Sequence, residues 1–309
     1  MWDAITFKKR LALASESSDR ELLHELRKSV FKDTVSCVLS EHFLCEHGKT
    51  IALPLDGNLI KNSILYNKEL TPSPLPAYKT KVSVVNEDCL AVAHSIGDNP
   101  LVLNMANESQ PGGGVEYGSG AQEETLFRSS NYFLSLYQFH DSYAKKYNLP
   151  RSKKTYPLDS RFGAIYSPGA TVFRGKEEDG YPLLDVPFKV SFVAVAAIKQ
   201  PKLIMGTHER WLLDEAEETL TKTKLRTLFS VAMTNGHTVL VLSALGCGAF
   251  CNPPGHMASL FHEVLREKPY VQAFKEIVFA IKNDHNTHKW YNPQGNFEPF
   301  ANEFKRGVI

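Results

Sequence analysis

Apolar positions recur at helical spacing through Leu22, Leu23, Leu26, Val30, Val35 and Leu39, so a helix is expected within residues 17–46. Ser18 and Asp19, followed by Glu21, supply the polar start that suits its N-terminus. The run Thr71-Pro72-Ser73-Pro74-Leu75-Pro76 fits neither a helix nor a central strand, because proline fixes its backbone and lacks an N–H. A connector there is expected to close an N-terminal helical extension, 1–75, and to lead into a second region, 76–309.

From Lys79 the period changes. Short β-rich apolar runs at Val82–Asn86, Leu101–Asn104, Ala164–Tyr166, Val190–Ile198, Thr238–Ser243 and Ile277–Lys282 predict strands. Helical stretches fall between them at Leu90–Ile96, Gln122–Tyr137, His208–Asn235 and Pro254–Lys268. This alternation predicts an α/β fold, a largely parallel or mixed sheet with helices on its faces. In open sheets of that kind ligands bind at the carboxyl ends of the strands. Glycine-bearing loops follow two of the predicted strands, one after Asn104 and one after Ser243, which suggests a shared site. Residues 283–309, rich in Asn, Pro, Gly and aromatics, are expected to form an irregular surface tail.

Composition narrows the class. A hydrophobic fraction of 43% and a charged fraction of 22% are ordinary for a globular chain. A formal net charge of +1 argues against wholesale attraction to DNA or to membranes, so an anionic ligand has to be read by local geometry. No run approaches the roughly 20 apolar residues of a membrane helix. Met1 to Arg10 carries no secretory pattern. Cys37, Cys45, Cys89, Cys247 and Cys251 form no disulfide framework and read as free thiols of a reducing, intracellular compartment.

The segment from Asn104 to Phe127 carries the most chemistry. Gly112, Gly113 and Gly114 lack the Cβ atoms that would hold a ligand away from backbone N–H groups, so this loop can form a nest for phosphate. Taken alone, a glycine triplet is equally well a flexible turn. Gln122, Glu123 and Glu124 follow at the apparent start of a helix, where the dipole alone favours acidic residues. Two carboxylates held beside a phosphate are a different matter, because repulsion raises the proton affinity of one of them. A carboxylic acid that keeps its proton near neutral pH can act as general acid towards a glycosidic oxygen.

The second loop reads Gly246-Cys247-Gly248-Ala249-Phe250. It permits close approach of backbone to a diphosphate, with Phe250 against a sugar face; the plainer reading is a tight strand-to-helix turn over a buried Phe. A nucleophilic Cys247 would need a neighbouring base that no motif supplies.

Gly112-Gly113-Gly114, a short spacer and Gln122-Glu123-Glu124 together resemble the signature of poly(ADP-ribose) glycohydrolases, which are built on a macrodomain. Gly246 to Phe250 resembles that family's second ligand loop. Asn252-Pro253-Pro254, Ile165-Tyr166-Ser167-Pro168 and Thr171-Val172-Phe173-Arg174 are similar to its microbial-type branch, so the likeness covers most of 80–282. The N-terminal region and the tail match nothing in it. The compound motif is specific, although each half alone is weak.

The resemblance implies a three-layer α/β/α macrodomain with a mixed sheet and an N-terminal helical extension. It implies that Glu124 is the catalytic acid, that Glu123 binds ribose hydroxyls and that Gln122 orients the pair. Asn107 matches an asparagine at the distal ribose. Gly112, Gly113, Gly114, Val115, Gly246, Cys247, Gly248, Ala249 and Phe250 would flank the diphosphate and that ribose. Asp88 resembles an aspartate that accepts from the adenine amino group, although an Asp at a strand end is often only a helix cap. Cleavage would pass through an oxocarbenium-like state with a protonated leaving oxygen. The implied ligands are poly(ADP-ribose), ADP-ribose and poly-ADP-ribosylated proteins; no cofactor is called for, and a monomer is expected. A binding module without turnover, or a mono-ADP-ribosyl-protein hydrolase, would use the same loops.

Weaker signals remain. Cys37, His42, Cys45 and His47 lie close together, but their spacing fits no zinc pattern. His285 and His288 read as surface residues, and Arg151-Ser152-Lys153-Lys154 as a solvated loop. No metal site is expected.

Overall fold

The structure is a computed structural model and describes residues 2–45, 47–55, 57–72, 76–97, 99–283 and 285–309. Ser73 to Leu75 of the expected connector, Glu46 at the end of the expected first helix, Met1 and Asp284 lie outside the described residues. In chain order the elements begin with α1 (Ala4–Glu16), α2 (Arg20–Leu39), β1 (His42–Leu44), β2 (Thr50–Ala52), α3 (Gly57–Asn62) and β3 (Ile64–Tyr66). There follow β4 (Lys81–Val85), α4 (Cys89–Ile96), β5 (Leu101–Met105), α5 (Gln122–Ser129), α6 (Phe133–Tyr137), α7 (Asp141–Lys146), β6 (Ala164–Arg174) and β7 (Leu183–Val195). The chain continues through β8 (Leu203–Met205), β9 (Trp211–Leu213), α8 (Glu215–Thr234), β10 (Val239–Leu242), α9 (Pro254–Leu265), β11 (Glu276–Ala280) and α10 (Phe297–Glu303).

Two compact units are assembled from interleaved stretches. The first comprises Met1–Ile64, Ser109–Tyr156 and Ser167–Ser191; the second comprises Leu65–Glu108, Pro157–Tyr166 and Phe192–Ile309.

In the first unit, Asp3 and Asp19 cap α1 and α2, each accepting a backbone N–H (Thr6 and Leu22) at 2.9 Å. The helices share a small core of Phe7, Ala14, Leu26 and Val30 with Tyr181. The apolar spacing anticipates α2 but not α1, and it carries the first helix too far. Polar Ser40, Glu41 and His42 end that spacing, Glu41 turns with a φ of 58°, and the chain enters the antiparallel β1–β2 hairpin. The single helix expected over Gln122–Tyr137 is broken between α5 and α6. Ser130 is extended there, and Asn131 accepts and donates across to Thr171 of β6.

Among the described residues a seven-stranded sheet runs in the order β3-β6-β7-β5-β10-β11-β4. In the second unit, β5, β10, β11 and β4 pair side by side in parallel. Alternation along these strands separates two faces. Leu101, Leu103, Leu240, Leu242, Ile277 and Phe279 enter one core with Leu225, Phe229, Met257, Phe261 and Phe300 of α8, α9 and α10. Val102, Val241 and Val278 point the other way and are as deeply buried. A sheet buried on both faces needs a layer on each, which is why these strands read as unbroken apolar runs. Helix α4 packs against β5, β10 and β11 and contributes nothing to the first cluster. The result is the three-layer α/β/α arrangement with a mixed sheet.

Two further expectations are corrected. The helix expected from His208 starts only at Glu215, where Asp214 accepts the Glu217 N–H at 3.0 Å. Before it the chain forms the antiparallel hairpin β8–β9, whose second strand, Trp211–Leu213, takes the place of the expected first turn. The tail is not wholly irregular. Phe297, Phe300 and Phe304 have helical spacing on and just after α10, and Phe300 and Phe304 are buried against Phe279. Surrounding Asn, Pro and Gly residues mask that short periodicity.

Candidate active site

In the first unit, the glycine loop and the carboxylate pair are one construction. Helix α5 begins without a side-chain cap, because Ala121 occupies the cap position. Its first-turn acids turn back to the glycine loop. Glu123 Oε1 accepts the Gly112 N–H at 3.1 Å, and Glu124 Oε1 accepts the Gly114 N–H at 2.9 Å. Both side chains are buried, at 3% and 6% exposure, although they carry carboxyl groups. Glu124 Oε2 is also buried and has no hydrogen-bond partner among the described residues.

The glycines are required here. Gly112 and Gly113 take φ values of 75° and 54°, which disfavour a Cβ. A Cβ on Gly113 would stand 2.6 Å from Glu124 Oε1. One on Gly112 would stand 2.6 Å from the Phe127 ring. The Gly113 N–H donates to the Gln110 carbonyl, so all three N–H groups of the triplet engage the protein's own acceptors. The sequence suggests these groups for a phosphate; in this structure they hold the acids. Val115 continues the turn with its side chain buried, and Gln122 lies partly exposed at the start of α5.

Two arginines that carry no signal in the sequence fix the spacer between loop and helix. Arg128 is fully buried, donates from Nη1 to the Ser119 carbonyl at 2.7 Å, and donates from Nε to the Tyr181 hydroxyl at 2.8 Å. Arg27 of α2 donates through Nε and Nη2 to the two carboxylate oxygens of Glu177 at 2.9 and 3.0 Å. Its guanidinium occupies the space that a Cβ on Gly120 would need. Burial alone would lift the Glu177 carboxyl, but Arg27 and Arg128 outweigh it and hold Glu177 below its usual range. Burial also works against the Arg27 charge, and Glu177 more than offsets this, with Glu124 adding a smaller attraction. Glu116, in the middle of the spacer, accepts from Lys146 Nζ at 2.7 Å and from the Tyr147 hydroxyl at 2.6 Å.

An aromatic wall lies beside the acids. Tyr156 and Tyr137 are pushed up chiefly by burial, with the negative charge of Glu123 among the further causes. These phenols keep their protons.

In the second unit, three of the expected ligand elements follow parallel strands of the sheet. Asp88 follows β4, Asn107 follows β5, and the loop Gly246 to Phe250 follows β10. Asp88 caps α4, its Oδ1 accepting the Leu90 and Ala91 N–H groups at 2.9 and 3.1 Å. Asn107 is half-buried. In the loop, Gly246 has a φ of 76°, and a Cβ there would stand 2.5 Å from the Ala197 Cβ. Cys247 is fully buried within the core, so it presents backbone and not a nucleophile. Phe250 is half-buried against the same core.

Asn252 organises this loop. It is fully buried, and its Nδ2 donates to the carbonyls of Ile198, Gly246 and Phe250 at 2.8, 3.1 and 3.2 Å. Tyr291 of the tail adds a hydroxyl donated to the Gly248 carbonyl at 2.9 Å. Sequence singles out Asn252 only as part of a resemblance, and nothing in it points to Tyr291.

Fold and carboxylate pair together define a macrodomain-like α/β protein with two buried acids anchored on a glycine loop. Residues 31–175 match the family model for the catalytic domain of microbial-type PARG, poly(ADP-ribose) glycohydrolase. The chain is also similar to solved poly(ADP-ribose) glycohydrolases. With the structure from Thermomonospora curvata it shares 26% identity at a TM-score of 0.70, over 90% of this chain and 99% of that one. The T. curvata structure bound to the inhibitor ADP-HPD matches at 25% identity and a TM-score of 0.68, with the same coverage. The Deinococcus radiodurans structure in complex with ADP-ribose matches at 25% and 0.61, over 83% of this chain and 99% of that one. No curated protein matches the chain. Both comparisons liken the chain to poly(ADP-ribose) glycohydrolases, the family model to their microbial type. The family match begins at Phe31, inside α2, so the last nine of that helix's twenty residues fall within it.

Proposed function

We propose that this protein hydrolyses the ribose–ribose O-glycosidic bonds of poly(ADP-ribose) and releases ADP-ribose, with Glu124 as general acid and then general base. The observation that carries the reading is the asymmetry of Glu124. One oxygen is anchored on the Gly114 N–H, and the other is buried without a partner among the described residues. A carboxyl group held by one oxygen presents the other, with its proton, to a leaving group. Protonation of the leaving ribose oxygen generates an oxocarbenium-like sugar. The Glu124 carboxylate left behind then takes a proton from the attacking water. Glu123, anchored in parallel on Gly112, binds ribose hydroxyls and keeps the sugar in register, and Gln122 orients the pair.

In this reading Gly246 to Phe250 line the diphosphate and distal ribose, Asn107 contacts that ribose, and Asp88 accepts from the adenine amino group. Gly112 to Val115 shape the wall beside the scissile linkage. The polymer arrives on poly-ADP-ribosylated proteins, and the protein acts as a monomer inside the cell. Among the described residues no helix is long and apolar enough to cross a membrane.

Glu124→Gln tests the reading, because the amide oxygen can still accept from Gly114. ADP-ribose binding measured by calorimetry should persist, while release of ADP-ribose from polymer falls by roughly 100- to 10,000-fold. Wild-type turnover in that variant overturns the assignment. Assaying polymer and mono-modified protein side by side separates chain cleavage from removal of a single unit.

A further inference from the structure

Cys45, His47 and Asp185 bring a sulfur, an imidazole nitrogen and a carboxylate oxygen within 4.8 Å of one another in the first unit. Spacing along the chain argues against Cys45 and His47 as zinc ligands, because their sequence neighbours fit no zinc pattern. It does not reveal that β7 delivers Asp185 beside them. We propose that these three side chains bind one divalent first-row transition ion, zinc being the species matched to the donor set, with water as fourth ligand.

The geometry is near what such an ion needs. His47 Nδ1 lies 2.8 Å from Asp185 Oδ2, and the Cys45 sulfur lies within 4.8 Å of both side chains' ligand atoms. Tetrahedral zinc holds sulfur at about 2.3 Å and nitrogen or oxygen at about 2.0–2.2 Å, which sets its ligands roughly 3.3–3.8 Å apart. Shifts of about an ångström or less in the exposed His47 and Asp185 side chains reach that arrangement. The backbone under Cys45 is fixed. Its N–H donates to the Lys49 carbonyl and its carbonyl accepts the Gly48 N–H, both at 2.9 Å. Sulfur and nitrogen therefore come from one tight turn between β1 and β2, and the carboxylate comes from β7.

A nucleophilic role for the cluster fails on burial: Cys45 is fully buried, so its sulfur is out of reach of a substrate. Metal binding balances simply: the thiol proton leaves to solvent, the thiolate and carboxylate supply two negative charges, and the neutral imidazole completes the set. The bound ion would tie the β1–β2 hairpin to β7. None of these residues takes part in the proposed glycohydrolase chemistry, so the two readings stand or fall separately.

The test uses the full chain stripped with a chelator and titrated with Co2+. One equivalent should produce a near-ultraviolet thiolate-to-cobalt band and visible d–d bands, both bleached by Zn2+. Cys45→Ser should abolish the near-ultraviolet band. His47→Gln and Asp185→Asn, at exposed positions and checked for folding by circular dichroism, should weaken zinc by at least about 100-fold, the upper end of the cost of losing an outer-shell partner. Absence of a thiolate band in the wild type overturns the proposal. So does zinc affinity left unchanged in folded Asp185→Asn.

Discussion

Glu123 and Glu124 accept through equivalent oxygens from Gly112 and Gly114, so two neighbouring acids on a helix grip alternate residues of one turn. The middle glycine sits between the two carboxyl groups, its missing Cβ 2.6 Å from one acid and 3.3 Å from the other. The loop sets where the carboxylates stand, and the catalytic reading depends on that placement.

Gly113→Ala should therefore lower kcat far more than it lowers stability. Forcing a side chain into the left-handed region costs roughly 1–2 kcal/mol, a shift of a few degrees in Tm for a chain of this size. Displacing Glu124 Oε1 should cost kcat at least about 100-fold, since a misplacement of about 1 Å can cost that much. Thermal melts and polymer turnover measured together check this, and a folded variant with normal kcat would refute the dependence.

Asn252→Leu should loosen the second loop. The Ile198 carbonyl loses its donor, an acceptor left unsatisfied in the interior being worth about 1–3 kcal/mol, while the Gly246 and Phe250 carbonyls keep the Asn252 and Gln200 N–H groups. The expected signature is weaker ADP-ribose binding with a lowered Tm. Asn252→Asp, which keeps the shape but not the donors, should resemble Leu and not wild type. Calorimetric binding by both variants decides the point.

The interleaved polar pairs of the first unit give a third prediction. Arg27→Met leaves Glu177 without its principal partner in a mostly buried place, and should destabilise by about 1–3 kcal/mol. Arg27→Met with Glu177→Gln should recover much of that loss, because the uncompensated charge is gone. Urea unfolding of the singles and the double measures the coupling. Strict additivity would show that the pair is not the source.

Stability should also fall on mild acidification through His237. Burial lowers its imidazole from 6.5 to about 4, beside a hydrogen bond with the Tyr166 hydroxyl at 2.8 Å. Between those two values the unfolded chain takes up a proton that the folded chain refuses, so stability drops as pH falls from about 6.5 to about 4. At about 1.4 kcal/mol per pH unit the whole drop is up to about 3 kcal/mol. His237→Gln should flatten that part of the curve. An unchanged slope between about pH 7 and about pH 4.5 would assign the loss to other groups.

What the sequence makes legible follows from distance along the chain. Gly112 to Gly114 and Gln122 to Glu124 sit within one short stretch, so their partnership can be read from the order of residues alone. The β10 and β11 strands announce themselves because burial on both faces leaves no polar alternation to confuse with a helix. Arg27 and Arg128 look like ordinary helix-surface residues, since nothing local reveals that their partners are Glu177, Tyr181 and Ser119. Asn252 is close to Gly246 in sequence, yet its shortest bond reaches Ile198. The break at Ser130 and the hairpin at Trp211 stay hidden because apolar spacing persists through both.

Because the two compact units each draw on three separate stretches, no single cut of the chain can yield either one whole. Nicking or truncation should therefore abolish both folds at once instead of freeing an active half, and heat or denaturant should melt the protein in one step. Fragment complementation would have to supply several pieces together. Trimming the amino-terminal helices to make a minimal enzyme is consequently a poor engineering strategy: it removes Arg27, whose guanidinium abuts the run-up to the acid-bearing helix.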